Sequence, residues 1–67
     1  MDEYNIIKIL NERFSKRKFE DRNNELFCND KSLGLDVSKL NEDINGFLPC
    51  IEGVVSAIEY VIDKKKL

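Results

Sequence analysis

The sequence has no histidine and only two cysteines, Cys28 and Cys50, among its 67 residues. A structural zinc site needs four ligands, usually cysteine and histidine, so we expect no metal site and no cofactor. A serine or cysteine nucleophile would lack its usual histidine base. The adjacent acids Glu42 and Asp43 would point about 100° apart on a helix instead of converging on a substrate. The sequence therefore predicts a protein that is not an enzyme.

Long apolar runs are missing as well. No stretch approaches the ~20 residues that a membrane-spanning helix needs. Polar and charged residues interrupt the first ten positions, where a signal peptide would carry its apolar segment. We therefore expect a cytoplasmic protein with no membrane association and with both thiols reduced.

The composition, 42% hydrophobic and 36% charged, is that of a folded protein. We expect one domain, residues 1–67. A domain of this size buries only about 60% of the surface that its unfolded chain exposes, so its core needs a supplement. Disulfides, metals and partner chains are the usual supplements, and the scarcity of ligands and cysteines favours a partner chain.

Residues 2–18 have the pattern of an amphipathic helix. Its apolar stripe recurs at spacings of three and four and consists of Tyr4, Ile7, Leu10 and Phe14. Asp2 and Glu3 lie in the predicted first turn and a run of cations in the last turn, which complements the helix dipole.

Residues 19–35 are ambiguous. Asn23 and Asn24 fit the centre of a tight turn, because asparagine tolerates a positive φ, and the flanking residues would then pair as a short hairpin. A short helix over residues 20–27 is a second alternative. No four-residue stretch alternates cleanly or is rich in β-branched residues, so we expect largely irregular structure with about one helical turn.

A short second helix is predicted from Asp36 to Gly46. Either Asp36 or Ser38 would cap its first turn, and Asn45 with Gly46 would end it in the left-handed conformation. Pro49 then suits the first turn of a third helix. The apolar stripe of the second helix consists of Val37, Leu40, Ile44 and Phe47.

The third helix, residues 47–62, has the widest apolar face. Its apolar positions span about 160° of a helical wheel and are Phe47, Cys50, Ile51, Val54, Val55, Ala57, Ile58, Val61 and Ile62. A helix that packs on one neighbour needs a narrower stripe. Tyr60 lies beside Gly53 at the edge of the polar side, where aromatic residues often contact a partner. The predicted fold class is therefore all-α, a small three-helix domain with helices in the order long, short, long.

The surplus of apolar surface predicts a protein that binds another protein and also pairs with itself. A symmetric homodimer would close the surplus faces on one another. The predicted partner-binding residues are Tyr60, Gly53, Ile58, Val55 and Ile62. Richness in asparagine and lysine without tryptophan is typical of a low-GC bacterium or its phage, and it favours a small regulator or inhibitor of a larger target.

A nucleic-acid-associated accessory protein is the first alternative. The candidate phosphate-binding residues are Arg13, Lys16, Arg17 and Lys18, with Phe14 and Phe19 beside them as stacking surfaces. Nucleic-acid-binding domains are usually basic overall, whereas this chain has a net charge of −2. A nucleic-acid partner is therefore not expected.

A carrier-protein domain is the second alternative. The sequence LGLD at residues 33–36, followed by a predicted helix, resembles the stretch before the phosphopantetheine serine of acyl and peptidyl carrier proteins, and residues 54–63 are similar to their last helix. In that family the serine directly follows the aspartate, whereas here Val37 holds that place and Ser38 comes one residue later. The resemblance therefore implies at most a degenerate carrier-like domain.

Overall fold

The computed structural model describes residues 3–67 and contains both helices and a sheet. The elements, in chain order, are α1 (Ile6–Arg13), β1 (Phe19–Arg22), β2 (Glu25–Cys28), β3 (Lys31–Asp36), α2 (Val37–Gly46) and α3 (Cys50–Lys65). The strands form one antiparallel sheet in the order β1-β2-β3. With 52% helix and 22% strand the protein has an α+β fold, so the prediction of an all-α domain is wrong.

Two tight turns explain why residues 19–35 form a sheet. Asn23 and Asn24 have φ angles of 52° and 68°, and Asn29 and Asp30 have φ angles of 50° and 66°. Two central residues with positive φ make the two-residue turn whose twist matches that of paired strands. The hairpin alternative for residues 19–35 is therefore correct, and the expectation of largely irregular structure is wrong.

The apolar residues of the sheet divide between its two faces, which hides the strand pattern in the sequence. Phe19 lies opposite Cys28 in the β1–β2 register, and both are buried on the inner face together with Leu26 and Leu33. Phe27 lies on the outer face, where the Arg22 guanidinium covers its ring at 4.7 Å. Residues 26–28 are consequently an uninterrupted apolar run, although only alternate members reach the core.

A bulge in β3 redirects the chain toward α2. Phe27 pairs with Ser32 and Glu25 pairs with Asp36, so the single residue Leu26 faces the three residues 33–35. Gly34 lies in this bulge with a φ of +71°, a conformation that glycine adopts at no steric cost. Its N–H donates to the Ser32 hydroxyl at 3.1 Å.

The first turn of α2 is capped by Asp36, as predicted. The Asp36 carboxylate accepts from the Lys39 N–H at 2.9 Å and from the Asn24 side-chain amide at 2.7 Å. The Asn24 side-chain oxygen accepts in turn from the N–H of Ser38 at 2.8 Å. The tip of the first hairpin is therefore bonded to the start of α2, fourteen residues further along the chain.

The cap makes the stability of α2 dependent on pH. The hydrogen bonds from Lys39 and Asn24 lower the pKa of Asp36. A carboxyl group whose pKa is lower in the folded state contributes stability above its unfolded pKa of about 3.9, and this contribution is lost as the pH falls through the folded value.

We expect Asp36→Asn to have a lower Tm than the wild type at neutral pH. The gap should close as the pH falls, because the wild-type carboxylate is then protonated. Thermal unfolding followed by circular dichroism from neutral pH to about pH 2 measures the gap, and a gap that is constant over this range would contradict the assignment.

The end of α2 differs from the prediction. Gly46 is the last helical residue and has no positive φ, and Phe47 follows in an extended conformation with a φ of −153°. The predicted left-handed stop at Asn45 and Gly46 is therefore wrong. Because the chain is extended at Phe47, this side chain leaves the α2 stripe and is 61% exposed. Pro49 directly precedes α3.

Helix α1 is shorter than predicted, and its fully buried positions are Ile6 and Leu10. Asn5 caps it by accepting from the Ile7 N–H at 2.9 Å. Of the predicted stripe, Leu10 is buried and Ile7 and Phe14 are half-buried against the core. Tyr4 lies before the helix and is 46% exposed, so its place in the stripe is wrong. Asp2, predicted in the first turn, lies outside the described residues.

Asparagine side chains hold α1 to the rest of the domain. The Asn11 side-chain amide donates to the Phe19 carbonyl at 3.0 Å, and its oxygen accepts from the Phe19 N–H at 2.8 Å. Asn41 of α2 accepts from the Ile6 N–H at 2.7 Å. Asn45 exchanges two bonds of 2.8 Å with the backbone of Tyr4. Helix α1 is thus fixed to both β1 and α2 by side chain to backbone hydrogen bonds.

The core lies between the inner face of the sheet and the three helices. Its buried members are Ile6, Leu10, Phe19, Leu26, Cys28, Leu33, Val37, Ile44, Val55, Ile58 and Ile62, and no polar or charged residue is buried within residues 3–67. Both cysteines are free thiols, Cys28 buried and Cys50 half-buried.

Replacing a core residue of α3 should cost far more stability than replacing an exposed one. Ile58 is 1% exposed, and truncation of a fully buried isoleucine to alanine typically costs about 2–5 kcal/mol, because it leaves a cavity. We expect Ile58→Ala to fall in that range by urea denaturation. The matched control is the exposed Ser56→Ala, which should stay within about 0.5 kcal/mol of the wild type. Equal, small effects of the two substitutions would contradict this core.

Candidate functional site

The shifted carboxyl groups have structural partners. The pKa values of Glu20 and Glu52 are lowered by hydrogen bonds from Arg22 and Arg13, and Asp36 is the helix cap. A lowered pKa keeps a carboxylate ionised to a lower pH than usual, whereas a carboxyl group that acts as a general acid needs a raised pKa. Within residues 3–67 no cluster of three potential metal ligands occurs. A depression of about 470 Å³ lies at the α1–β1 connection, lined by residues 14–17.

The predicted phosphate-binding residues are mostly engaged within the protein. Arg13 forms two hydrogen bonds to the Glu52 carboxylate, at 2.9 and 2.5 Å, which also raise the pKa of Arg13. Arg17 donates to the Leu67 carbonyl at 2.9 Å, and Lys18 lies 3.6 Å from Glu20. Arg13 lies in the last turn of α1, as predicted, whereas Lys16, Arg17 and Lys18 lie in the connection that follows the helix. Lys16 makes no ion pair with any residue of the range 3–67.

We expect no oligonucleotide binding at physiological salt, because a phosphate would have to displace Glu52 from Arg13 and meet an acidic domain. Fluorescence anisotropy with labelled single-stranded and double-stranded oligonucleotides measures this. Replacing Arg13, Lys16, Arg17 and Lys18 by glutamine should leave the anisotropy unchanged. Micromolar affinity that weakens with salt in the wild type, and is lost in the glutamine variant, would show that the basic run binds phosphates.

The predicted partner-binding residues separate into two groups. Val55, Ile58 and Ile62 are 7%, 1% and 1% exposed and pack in the core, so their side chains are not available on the surface of the monomer. Gly53 and Tyr60 lie on the opposite side of α3, and Tyr60 is 62% exposed. Part of the wide apolar face of α3, which the sequence analysis assigned to a partner, is therefore covered within the domain by the sheet and the other helices.

The side of α3 that faces away from the core carries a strip that we call the outer face. It consists of Cys50, Gly53, Ala57, Tyr60 and Lys64, which recur at spacings of three and four. At 100° per residue these positions fall within about 80° of arc. Val54 and Val61 are half-buried along one border. Along its other border lie Glu52, Ser56, Glu59 and Asp63, all exposed.

Tyr60 is the largest side chain of the outer face. The Lys64 ammonium lies 5.6 Å from the centroid of its ring, one turn further along the helix. A cation at this distance is attracted to the face of the ring and also keeps the end of the strip in water. The rest of the ring is open to solvent, and the neighbouring Gly53 and Ala57 leave room for a partner to reach it.

Sequence reasoning missed a second group of exposed apolar residues before α3. Phe47 and Leu48 are 61% and 49% exposed, although the sequence placed Phe47 in the stripes of both neighbouring helices. The signal was Pro49, because a helix usually ends at or before the residue that precedes a proline, here Leu48, so α2 is not expected to continue through Phe47 and Leu48 into α3. Tyr4 is also exposed, at 46%, and its backbone is bonded to the side chain of Asn45 in the last turn of α2.

Comparison with known proteins gives no match, whether with family models, with curated proteins or with solved structures. The resemblance to carrier proteins consequently has no support from them. Its LGLD segment lies in β3, and the Ser38 hydroxyl donates to the Asn24 side chain at 2.6 Å as part of the α2 cap. No described helix has the length and apolar character needed to cross a membrane.

Proposed function

We propose that this protein acts by binding another protein through the outer face of α3, as a small regulator or inhibitor without catalytic activity of its own. The observation that carries the proposal is the exposure of Tyr60, 62%, on a strip that bears no charge from Cys50 to Tyr60. Exposed aromatic rings among small apolar neighbours are the typical anchors of protein interfaces.

The neighbouring residues supply the other features of an interface. Phe47 and Leu48 extend the exposed apolar surface at the start of α3. Glu59 and Asp63 form a charged border on one side of the strip. An apolar centre with a polar border is the usual anatomy of a protein contact.

The proposal predicts that Tyr60 matters for binding and little for folding. Tyr60→Ala should cost under about 1 kcal/mol of folding stability, because the ring lies outside the core. It should cost about 2 kcal/mol or more of binding free energy, the usual effect of truncating a central aromatic anchor. The matched control is Glu59→Ala, the adjacent exposed residue on the polar border, which should change neither quantity appreciably.

Site-specific photo-crosslinking in cells of the native host measures the binding. A photoreactive residue at Ser56, beside Tyr60, should give a protein adduct, and the same residue at the exposed Lys39 of α2 should not. Adding Tyr60→Ala should abolish the adduct at Ser56. No adduct at Ser56, or one that survives Tyr60→Ala, would contradict the proposed surface.

A further inference from the structure

We infer that the partner of the outer face is a second copy of this chain, with the two α3 helices packed antiparallel about a two-fold axis that crosses the outer face at Ala57. This inference rests on the proposed function of the same surface. The spacing of three and four from Cys50 to Lys64 places these residues along one line of the helix, as a seam between two paired helices requires. Because Val55, Ile58 and Ile62 fill the core on the opposite side of α3, this seam is the side of the helix left open.

The seam is complementary in size to itself. Its first half carries the small residues Gly53 and Ala57, and its second half carries the large Tyr60. A ring that enters a helix pair sits in a hole formed by residues i, i+3, i+4 and i+7 of the facing helix. In the antiparallel pair the Tyr60 ring of each copy meets the hole around Gly53 and Ala57 of the other, so one contact is made twice.

The charges select the antiparallel arrangement over the parallel one. Lys64 and Lys65 lie in the last turn of α3 and Lys66 is its C-cap, while Glu52 is the acid of its first turn. The Glu52 carboxylate already holds Arg13 of its own chain, but its side chain is 71% exposed, so a second cation can reach it. A parallel pair would bring two sets of three lysines side by side, which is unfavourable. The antiparallel pair brings Lys64 of each copy beside Glu52 of the other, where opposite charges attract.

The size of the surface predicts a weak dimer. Helix α3 has 16 residues, so the paired length is about 24 Å at 1.5 Å per residue. A contact along one such helix is at the small end of specific interfaces, so we expect dissociation constants of micromolar or weaker. Phe47 and Leu48, at the start of α3, would border the contact and add apolar area to it.

Analytical ultracentrifugation of the full chain from about 10 µM to about 1 mM tests the pairing. We expect reversible dimerisation in the wild type and loss of at least tenfold in affinity in Ala57→Arg, which places a cation on the seam. The matched control Ser15→Arg adds the same charge on the exposed α1–β1 connection and should dimerise as the wild type does. Both variants should keep the wild-type Tm. A wild type that is monomeric at the highest concentration, or a dimer that persists in Ala57→Arg, would overturn the inference.

The orientation is tested by zero-length carbodiimide crosslinking of a mixture of unlabelled and ¹⁵N-labelled protein. Mass spectrometry should find Lys64 of one isotope joined to Glu52 of the other. Links between copies that join Lys64 only to Asp63 or Glu59 would show a parallel pair and overturn the antiparallel arrangement. If the wild type is monomeric but the photoreactive residue at Ser56 still gives a Tyr60-dependent adduct heavier than a dimer, only the self-pairing is overturned. Absence of every Tyr60-dependent adduct would overturn the proposed function as well.

Discussion

The contact on which the rest of this fold depends is the pair of hydrogen bonds between the Asn11 carboxamide and the backbone of Phe19. A carboxamide presents one donor and one acceptor side by side, as a peptide group does, so Asn11 acts as a short neighbouring strand for the edge of β1. It satisfies the backbone at the point where Phe19 enters the core, and it fixes α1 to the sheet. Without it the edge of β1 would be unpaired there, and α1 would keep its bonds to α2 through Asn41 and Asn45 but lose its hydrogen bonds to the sheet.

At the other junctions between elements, too, an asparagine side chain takes the place of a backbone peptide group as the hydrogen-bond partner. Asn41 and Asn45 hold the start of α1 to α2, and Asn24 holds the first hairpin to α2. Asn29 accepts from the Lys18 N–H at 2.9 Å and so joins the second turn to the residue that precedes β1. A domain with eleven buried apolar residues has little core to orient its elements, and these directional bonds specify the orientation that packing alone leaves loose.

The contrast between α3 and the sheet shows which parts of the fold are readable from the sequence. Helix α3 has 16 residues, over four turns, so its period is unmistakable and its placement from the sequence was nearly right. Each of β1 and β2 has four residues, too few for alternation to show, and Phe27 breaks the alternation because Arg22 shelters it on the outer face. The informative residues were Asn23 and Asn24, whose tolerance of positive φ was recognised but outweighed by the absence of β-branched neighbours, whereas the second turn at Asn29 and Asp30 was missed.

The candidate site was partly readable for a related reason. The helical wheel separated Tyr60 and Gly53 from the apolar arc, and the structure places both on the surface. The helical wheel could not show which apolar residues of α3 are buried within the domain itself, because the predicted all-α fold had no sheet to complete the core. Val55, Ile58 and Ile62 were consequently assigned to a partner although they meet the domain's own core. Phe47 was assigned to helices because its spacing fits the apolar stripes of both neighbours, although Pro49 favours an end to α2 before Leu48.

The two-residue turns between the strands have a consequence for how the chain assembles. A strand joined to its neighbour by two residues searches almost no conformational space before pairing, and hairpins of this kind form in about 1–10 microseconds. The three strands can therefore pair early. Helix α3, the last element along the described chain, must still be made before it can cover the inner face of the sheet. At a synthesis rate of about 5–20 residues per second, Leu26 and Leu33 on the inner face remain exposed for seconds before α3 is complete. The interval is long compared with hairpin formation, and the time to reach the native state is set by the arrival of α3, not by the search for strand partners.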